Sequence, residues 1–470
     1  MNRRRRPRIS RRTLLRGAGG FAAVVATGLG SAISAAASGP QRAVRGYGPL
    51  VRDARGILDL PQGFGYQIIS RVGEPMSDGL RVPGLPDGMH AFPGTAGRVR
   101  LLRNHELHPA SPQTAFVHLA NGPGAEVRRR MYDPAIGRGA VTTLVYDMKS
   151  ARVESEFLSL AGTLRNCDGG ATPWGSWISC EEFVIRRGQY GALKDHGFNF
   201  EVSASSNGLV DAVALTAMGR FNHESVGVDP RTGVVYQTED RPDGLFYRFL
   251  PASPGKLAAG GRLQALALAD HPSAFTGNWR PTGKVPVGVK FATAWVDLDD
   301  VGSPNDDLRQ QGRSRRAAAF AGGEGVAVEP NADATCVWFA CAAGGSNMRG
   351  QIWCYRPSRY EGTTQEKDLP GTLELFVEPN DSRLLNRGDN ICVAPNGDLI
   401  ICEDDKIAQR LLGITDDRGI YVLASNARHD SEFAGATFAP DGSTLFVNLQ
   451  TPGLTFAIRG PWASRDMLAS

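Results

Sequence analysis

Short apolar runs rich in β-branched and aromatic residues recur along the chain, each closed by Gly, Pro, Asn or Asp. Val141-Thr142-Thr143-Leu144-Val145-Tyr146, Leu245-Phe246-Tyr247-Arg248-Phe249, Gln351-Ile352-Trp353-Cys354-Tyr355 and Gly419-Ile420-Tyr421-Val422-Leu423 are examples. Runs of this length and composition read as strands, and no long amphipathic helix interrupts them. The pattern predicts an all-β protein.

A degenerate unit repeats within it: an apolar residue, proline, a turn, then a strand. Val228-Asp229-Pro230-Arg231-Thr232-Gly233-Val234-Val235-Tyr236, Val393-Ala394-Pro395-Asn396-Gly397-Asp398-Leu399-Ile400 and Phe438-Ala439-Pro440-Asp441-Gly442-Ser443-Thr444-Leu445-Phe446 are the clear copies. Val328-Glu329-Pro330-Asn331-Ala332-Asp333 and Thr172-Pro173-Trp174-Gly175 are looser ones. Glycine and asparagine accept the positive φ of a tight hairpin turn. Hairpins returning every few dozen residues predict propeller blades, and six would fit residues 45–465. A two-sheet sandwich explains the repeated hairpins less well. The wide interval from Pro230 to Pro330 leaves room for a hidden unit, and Pro251–Ala319 reads as an insertion or long loop.

Three strand-like runs end in carboxylates: Cys180-Glu181-Glu182, Thr238-Glu239-Asp240 and Cys402-Glu403-Asp404-Asp405. Acids brought together from distant strand ends suit a hard cation, and a thiolate among them suits a softer metal such as iron. Asn-His-Glu occurs twice, at Asn104-His105-Glu106 and Asn222-His223-Glu224, so equivalent glutamates could converge near a propeller axis. Glu324 stands among the glycines of Gly322-Gly323-Glu324-Gly325, where backbone can approach closely. Arg387, in Asn386-Arg387-Gly388-Asp389-Asn390, is a candidate anion ligand able to grip phosphate bidentately. The densest segment runs from Asn166-Cys167-Asp168 through two tryptophans to Cys180-Glu181-Glu182. No GxSxG, HExxH or phosphate-loop signature occurs, which sets aside serine hydrolases, zincins and P-loop enzymes.

Composition changes the picture at the N-terminus. The formal charge of +4 becomes −4 without the eight arginines of residues 1–37, so the body is mildly acidic and no nucleic-acid-binding surface is evident. Ser10-Arg11-Arg12-Thr13-Leu14-Leu15 followed by an Ala/Gly-rich stretch has the form of a twin-arginine export signal, cleaved near Ala37. The expected domains are a signal peptide at 1–37 and one propeller at 38–470, exported folded to the periplasm or beyond as a monomer. Seven cysteines without CxxC spacing argue against a zinc site or a disulfide scaffold. Cys336 and Cys341 fall on opposite faces of one strand; Cys180 and Cys402 stand out because each precedes an acidic pair.

Taken together, the chain resembles the PhoX family of alkaline phosphatases. The resemblance covers the twin-arginine signal, the first Asn-His-Glu, residues 166–182, 221–249, Gly322–Gly325, 386–405 and 432–462. It implies a six-bladed β-propeller phosphatase with inserted loops, using iron (Fe³⁺) and calcium at the central axis. It implies Cys180 as the thiolate on iron, with Glu181, Glu182, Glu224, Glu239, Asp240, Glu324, Glu403 and Asp404 shared among the cations. Asn166 and Arg387 would hold the phosphate of small phosphate esters, and activity would favour alkaline pH. Two alternatives stand beside it: a calcium-dependent propeller lactonase or esterase, and a non-catalytic exported metal-binding propeller.

Overall fold

The computed structural model describes residues 41–280, 283–329, 336–405, 409–428 and 431–462. The chain divides into Met1–Ala36 and Ala37–Ser470. The expected export signal and the Pro330–Asp333 turn lie outside the described residues.

Six antiparallel blades are arranged in sequence order. Blade 1 runs Pro86–Pro93, Arg98–His105, Gly139–Asp147, Arg152–Thr163. Blade 2 has Asn166–Ala171, Ser176–Glu181 and Asn199–Ser203; blade 3 has His223–Val228, Val235–Glu239, Phe246–Pro251 and Gly261–Leu268. Blade 4 has Gly323–Val328, Val337–Cys341, Gln351–Arg356 and Thr372–Val377; blade 5 has Gly388–Val393, Leu399–Glu403, Arg410–Ile414 and Gly419–Asn426. Blade 6 takes Phe433–Phe438, Thr444–Leu449 and Leu454–Arg459 from the C-terminal end and its outer strand, Gly65–Arg71, from the N-terminal end. That pairing closes the ring and leaves no open edge between first and last blades.

The proline turns join the first and second strands of their blades. Pro173, Pro230, Pro395 and Pro440 serve blades 2, 3, 5 and 6, and Gly397 and Gly442 take the positive φ each turn needs. The unit expected within the Pro230–Pro330 interval is absent among the described residues; the corresponding turn of blade 1 follows Pro93. The expected insertion at Pro251–Ala319 instead supplies the outer strand of blade 3 and a further strand, Lys290–Asp297, that links blades 3 and 4 edge to edge. Its alanines hid it, since alanine is poor in strand-forming tendency yet packs well between sheets.

Both faces of each blade are buried, so alternate residues of a strand enter different inter-blade cores. Trp177 packs with Phe92, Leu102 and Leu160 of blade 1, while Ile178 and Cys180 pack with Val226, Val235 and Tyr247 of blade 3. Ile401 packs toward blade 4 and Ile400 and Cys402 toward blade 6. Cys336, just before the second strand of blade 4, and Cys354, on the third, form a disulfide.

Candidate metal centre

Each blade repeats one local device at the start of its innermost strand. In all six, four residues of that strand oppose three of the next: Pro86–Met89 against His105–Arg103, Asn166–Gly169 against Glu181–Ser179, His223–Val226 against Glu239–Gln237, Gly323–Val326 against Cys341–Phe339, Gly388–Ile391 against Glu403–Ile401, and Ala434–Thr437 against Asn448–Phe446. Such a bulge re-aims side chains at a sheet end. Here it marks the places where Asp87, Cys167, Glu224, Glu324 and Asp389 come together. Their ligand atoms form linked groups, Asp87–Glu106–Cys167, Cys167–Glu182–Glu224 and Glu224–Glu324–Asp389, each within 4.8 Å.

A second tier comes from the residue after each second strand. The backbone N–H of Glu106, Glu182, Asp240, Ala342, Asp404 and Gln450 donates to the carbonyl of Leu85, Arg165, Asn222, Gly322, Arg387 and Glu432 respectively, at 2.9–3.2 Å. The same bond in every blade sets Glu106, Glu182, Asp240 and Asp404 at one level of the cup.

This repeat decides which member of each acidic pair reaches the cup. Glu182, Asp240 and Asp404 do. Glu181, Glu239 and Glu403, one residue earlier, turn into the blades. Glu181 accepts hydrogen bonds from the backbone N–H of Leu164 at 2.9 Å and Gly197 at 2.9 Å, and pairs with His196 Nδ1 at 2.7 Å. Glu239 accepts from Tyr247 Oη at 2.7 Å and pairs with Arg309, while Glu403 is held by Arg410 Nε at 2.6 Å and the N–H of Asn386. Burial pushes both Glu239 and Glu403 up to about 7.

Cys180 lies in the apolar core between blades 2 and 3, not among the acids. The thiol in the cup is Cys167, whose Sγ donates to Glu224 Oε1 at 3.0 Å. Asn166 is also turned away: its Oδ1 accepts from Thr163 Oγ1 at 2.6 Å and its Nδ2 donates to Ser179 Oγ at 2.8 Å. Glu224 and Glu324 both line the cup, in one group with Asp389. The two Asn-His-Glu copies both deliver their glutamate, but from non-equivalent strands: Glu106 follows a second strand and Glu224 lies on an innermost one. Their histidines bind backbone carbonyls, His105 that of Gly84 at 2.9 Å and His223 that of Gly219 at 3.0 Å.

Asp87, Cys167, Asp389 and Glu432 were not among the candidate ligands, and neither was Arg165; Glu106 was raised only through its Asn-His-Glu tripeptide. Arg165 bridges two blades, with Nε 2.7 Å from Glu106 and Nη2 2.6 Å from Glu182. Arg387 holds the same position in blade 5, across the ring, with an exposed side chain. The signal that could have found Asp87, Cys167 and Asp389 is their place one residue past the blade start, before the hydrophobic run.

The cup is strongly anionic. Burial, then neighbouring carboxylates, push Asp87, Glu224, Glu324 and Asp389 well above the ordinary range; Glu182 rises likewise despite the opposing charge of Arg165. Burial and the charges of Asp87 and Glu224 raise the Cys167 thiol too. Asp87 Oδ1 and Asp389 Oδ1 are buried without a hydrogen-bond partner. Unpaired buried carboxylate oxygens are costly, and a cation removes the cost. Oxygen donors in number with one sulfur fit hard cations together with a softer one.

The floor is one residue deeper, at Gly88, Asp168, Ser225, Gly325, Asn390 and Gly435. Ser225 Oγ donates to Asp168 Oδ2 at 2.9 Å and the N–H of Gly435 to Asn390 Oδ1 at 2.6 Å. A Cβ on Gly325 would lie 2.7 Å from Asn390 Cα, so the strands can converge this tightly only at glycine. Below it the axis opens into a cavity of 380 Å³ lined largely by apolar residues such as Val226, Val326 and Val393.

The alkaline phosphatase PhoX family matches residues 45–152 and 119–453. Among solved structures, Pseudomonas fluorescens PhoX in complex with vanadate, a transition state analogue, aligns over 90% of this chain and 98% of that one at 17% identity, with a TM-score of 0.59. A gluconolactonase from Xanthomonas campestris aligns over 88% and 98% at 13% identity, with a TM-score of 0.42. No curated protein matches by sequence. With the family match spanning nearly all the described blades, the chain belongs to the alkaline phosphatase PhoX family.

Proposed function

We propose that the anionic cup binds a cluster of iron and calcium ions and hydrolyses phosphomonoesters at alkaline pH. The observation that carries this reading is the convergence of Asp87, Cys167, Glu182, Glu224, Glu324 and Asp389, with unpartnered carboxylate oxygens, in a phosphatase family member. Cys167 would be the thiolate ligand, with Glu106, Asp240, Asp404 and Glu432 completing the carboxylate set. Bound cations would supply neutralisation of the phosphoryl oxygens and activation of water.

The chain's own residues do the rest. Cys167 and the raised carboxylates give up protons on loading, so occupancy and turnover favour alkaline pH. The exposed guanidinium of Arg387, at the blade-5 counterpart of Arg165, would hold the phosphate. Arg165, paired with both, neutralises and orients Glu106 and Glu182. The Asn166 amide is engaged by Thr163 and Ser179 and is not assigned a role there. The twin-arginine sequence supports export in the folded, loaded state to the periplasm or medium.

The test is hydrolysis of p-nitrophenyl phosphate by protein exported folded, with and without chelator, and metal content measured on the same sample. Turnover that is lost on calcium removal, on protein carrying iron, is the expected result. A fully metallated protein that turns over no monoester would sink it. Nothing in the cup favours the lactonase reading, which has no use for a thiolate.

A further inference from the structure

Three aromatic side chains stand at the rim of the cup, immediately beyond two of its acids. Phe183 follows Glu182, and His108 lies two residues past Glu106. Arg165, which joins those two acids, also donates its backbone N–H to the carbonyl of Leu107 at 3.1 Å. The His108 and Phe183 rings meet edge to face with centroids 5.1 Å apart, and Tyr190 lies 6.1 Å from Phe183 and 6.5 Å from His108.

The core does not account for this group. Phe183 is seated on the small apolar patch of Ile136, Leu164, Ile185 and Ala192, but Tyr190 is 68% exposed and His108 is exposed as well. Tyr190 also has φ +50°, a left-handed backbone that a bulky side chain adopts at a cost. The loop enforces it. Gly188 and Gly191 on either side take positive φ, and the Gly188 N–H closes on the Ala192 carbonyl at 2.8 Å. Arg186 N–H donates to Gln189 Oε1 at 2.6 Å and Arg187 N–H to Asp195 Oδ1 at 2.7 Å. An exposed tyrosine is thus held in a strained conformation by a braced loop, next to the rim of the cup.

We propose that His108, Phe183 and Tyr190 form an aromatic platform that binds the leaving group of aromatic phosphate esters, whether phenolic or nucleoside. The inference rests on the phosphatase reading for its substrate class. A phosphate held in the cup projects its ester group toward the rim, where an aromatic group can stack on preordered rings. Alkyl leaving groups gain little there, so the platform sets a preference rather than the reaction.

The test uses full-length mature protein loaded with iron and calcium, titrated by calorimetry with phenylphosphonate and methylphosphonate, whose C–P bonds are not hydrolysed by a phosphatase. Phenylphosphonate is expected to bind about tenfold more tightly, and Tyr190→Asn, whose asparagine tolerates the left-handed backbone, should remove most of that preference. His108→Gln, on the other loop, should reduce it independently. Equal affinity for the two phosphonates, binding of neither, or a preference kept in both variants overturns the platform. Phenyl phosphate, a purine nucleoside monophosphate and glycerol phosphate are assayed on the same sample. Higher kcat/KM for the phenyl or the purine ester than for glycerol phosphate supports the platform and says which aromatic group it suits. A protein that prefers phenylphosphonate yet hydrolyses no ester leaves the platform standing and removes the phosphatase reading.

Discussion

Cys167 and Glu224, on the innermost strands of neighbouring blades, meet through an S–H donated to Oε1 at 3.0 Å. The pair joins the three acid groups of the cup into one, because Cys167 is shared by the first and second and Glu224 by the second and third. It places the sulfur where cations would be held. Cys167→Ser should therefore lower iron content and phosphatase turnover by at least about 10–100-fold. Cys180→Ala, in the apolar core, should keep both and lose only about 1 kcal/mol of stability. Metal content and p-nitrophenyl phosphate hydrolysis on the two variants check this; the reverse pattern would return the thiolate role to Cys180.

Adjacent glutamates of blade 2 should separate in the same way. Glu182→Gln removes a cup carboxylate and should abolish most turnover while the thermal midpoint changes little. Glu181→Ala strands the buried N–H groups of Leu164 and Gly197 and should cost about 1–3 kcal/mol. Thermal unfolding read beside turnover distinguishes them.

Stripping cations should weaken the fold. The cup gathers carboxylates whose burial and mutual charge oppose ionisation, with Arg165 and Arg387 as the arginines at its rim. Added calcium at about 100 times its dissociation constant should stabilise the apo protein by about 2.7 kcal/mol. Calorimetry against calcium concentration measures it, and a midpoint indifferent to calcium and chelator alike would contradict a bound cation.

The pH dependence of stability is clearest far from the cup. At Asp53, burial opposes ionisation, but the Tyr66 hydroxyl and the N–H groups of Ile57, Arg55 and Leu58 outweigh it and hold the carboxyl down at about 2. A lowered folded value means stability that is present above the ordinary value of 3.8 and lost as pH falls toward about 2. Asp53→Asn should cost about 1–2 kcal/mol at neutral pH, with the difference from wild type shrinking between those limits. Denaturant unfolding at several pH values reads the convergence. A difference that stays constant down to the lower limit would rule the carboxylate out as its source.

The hydrophobic alternation and the proline–glycine turns specified a strand-rich repeat by themselves, because period two and positive-φ turns are local properties of the backbone. The carboxylates at strand ends were legible for the same reason, as was the resemblance that tied them to phosphate chemistry. Which of two adjacent acids faces the axis was not legible. A strand sends neighbours to opposite sides, and only the bulge and the hydrogen bond that closes the end of each blade decide which side is the cup. That is why Glu182, Asp240 and Asp404 stand in it and Glu181, Glu239 and Glu403 do not. Cys167 and Asp87 escaped for the complementary reason. Neither ends a hydrophobic run, and each acquires its meaning only from residues tens to hundreds of positions away, once the sixth blade has closed on the N-terminal strand Gly65–Arg71.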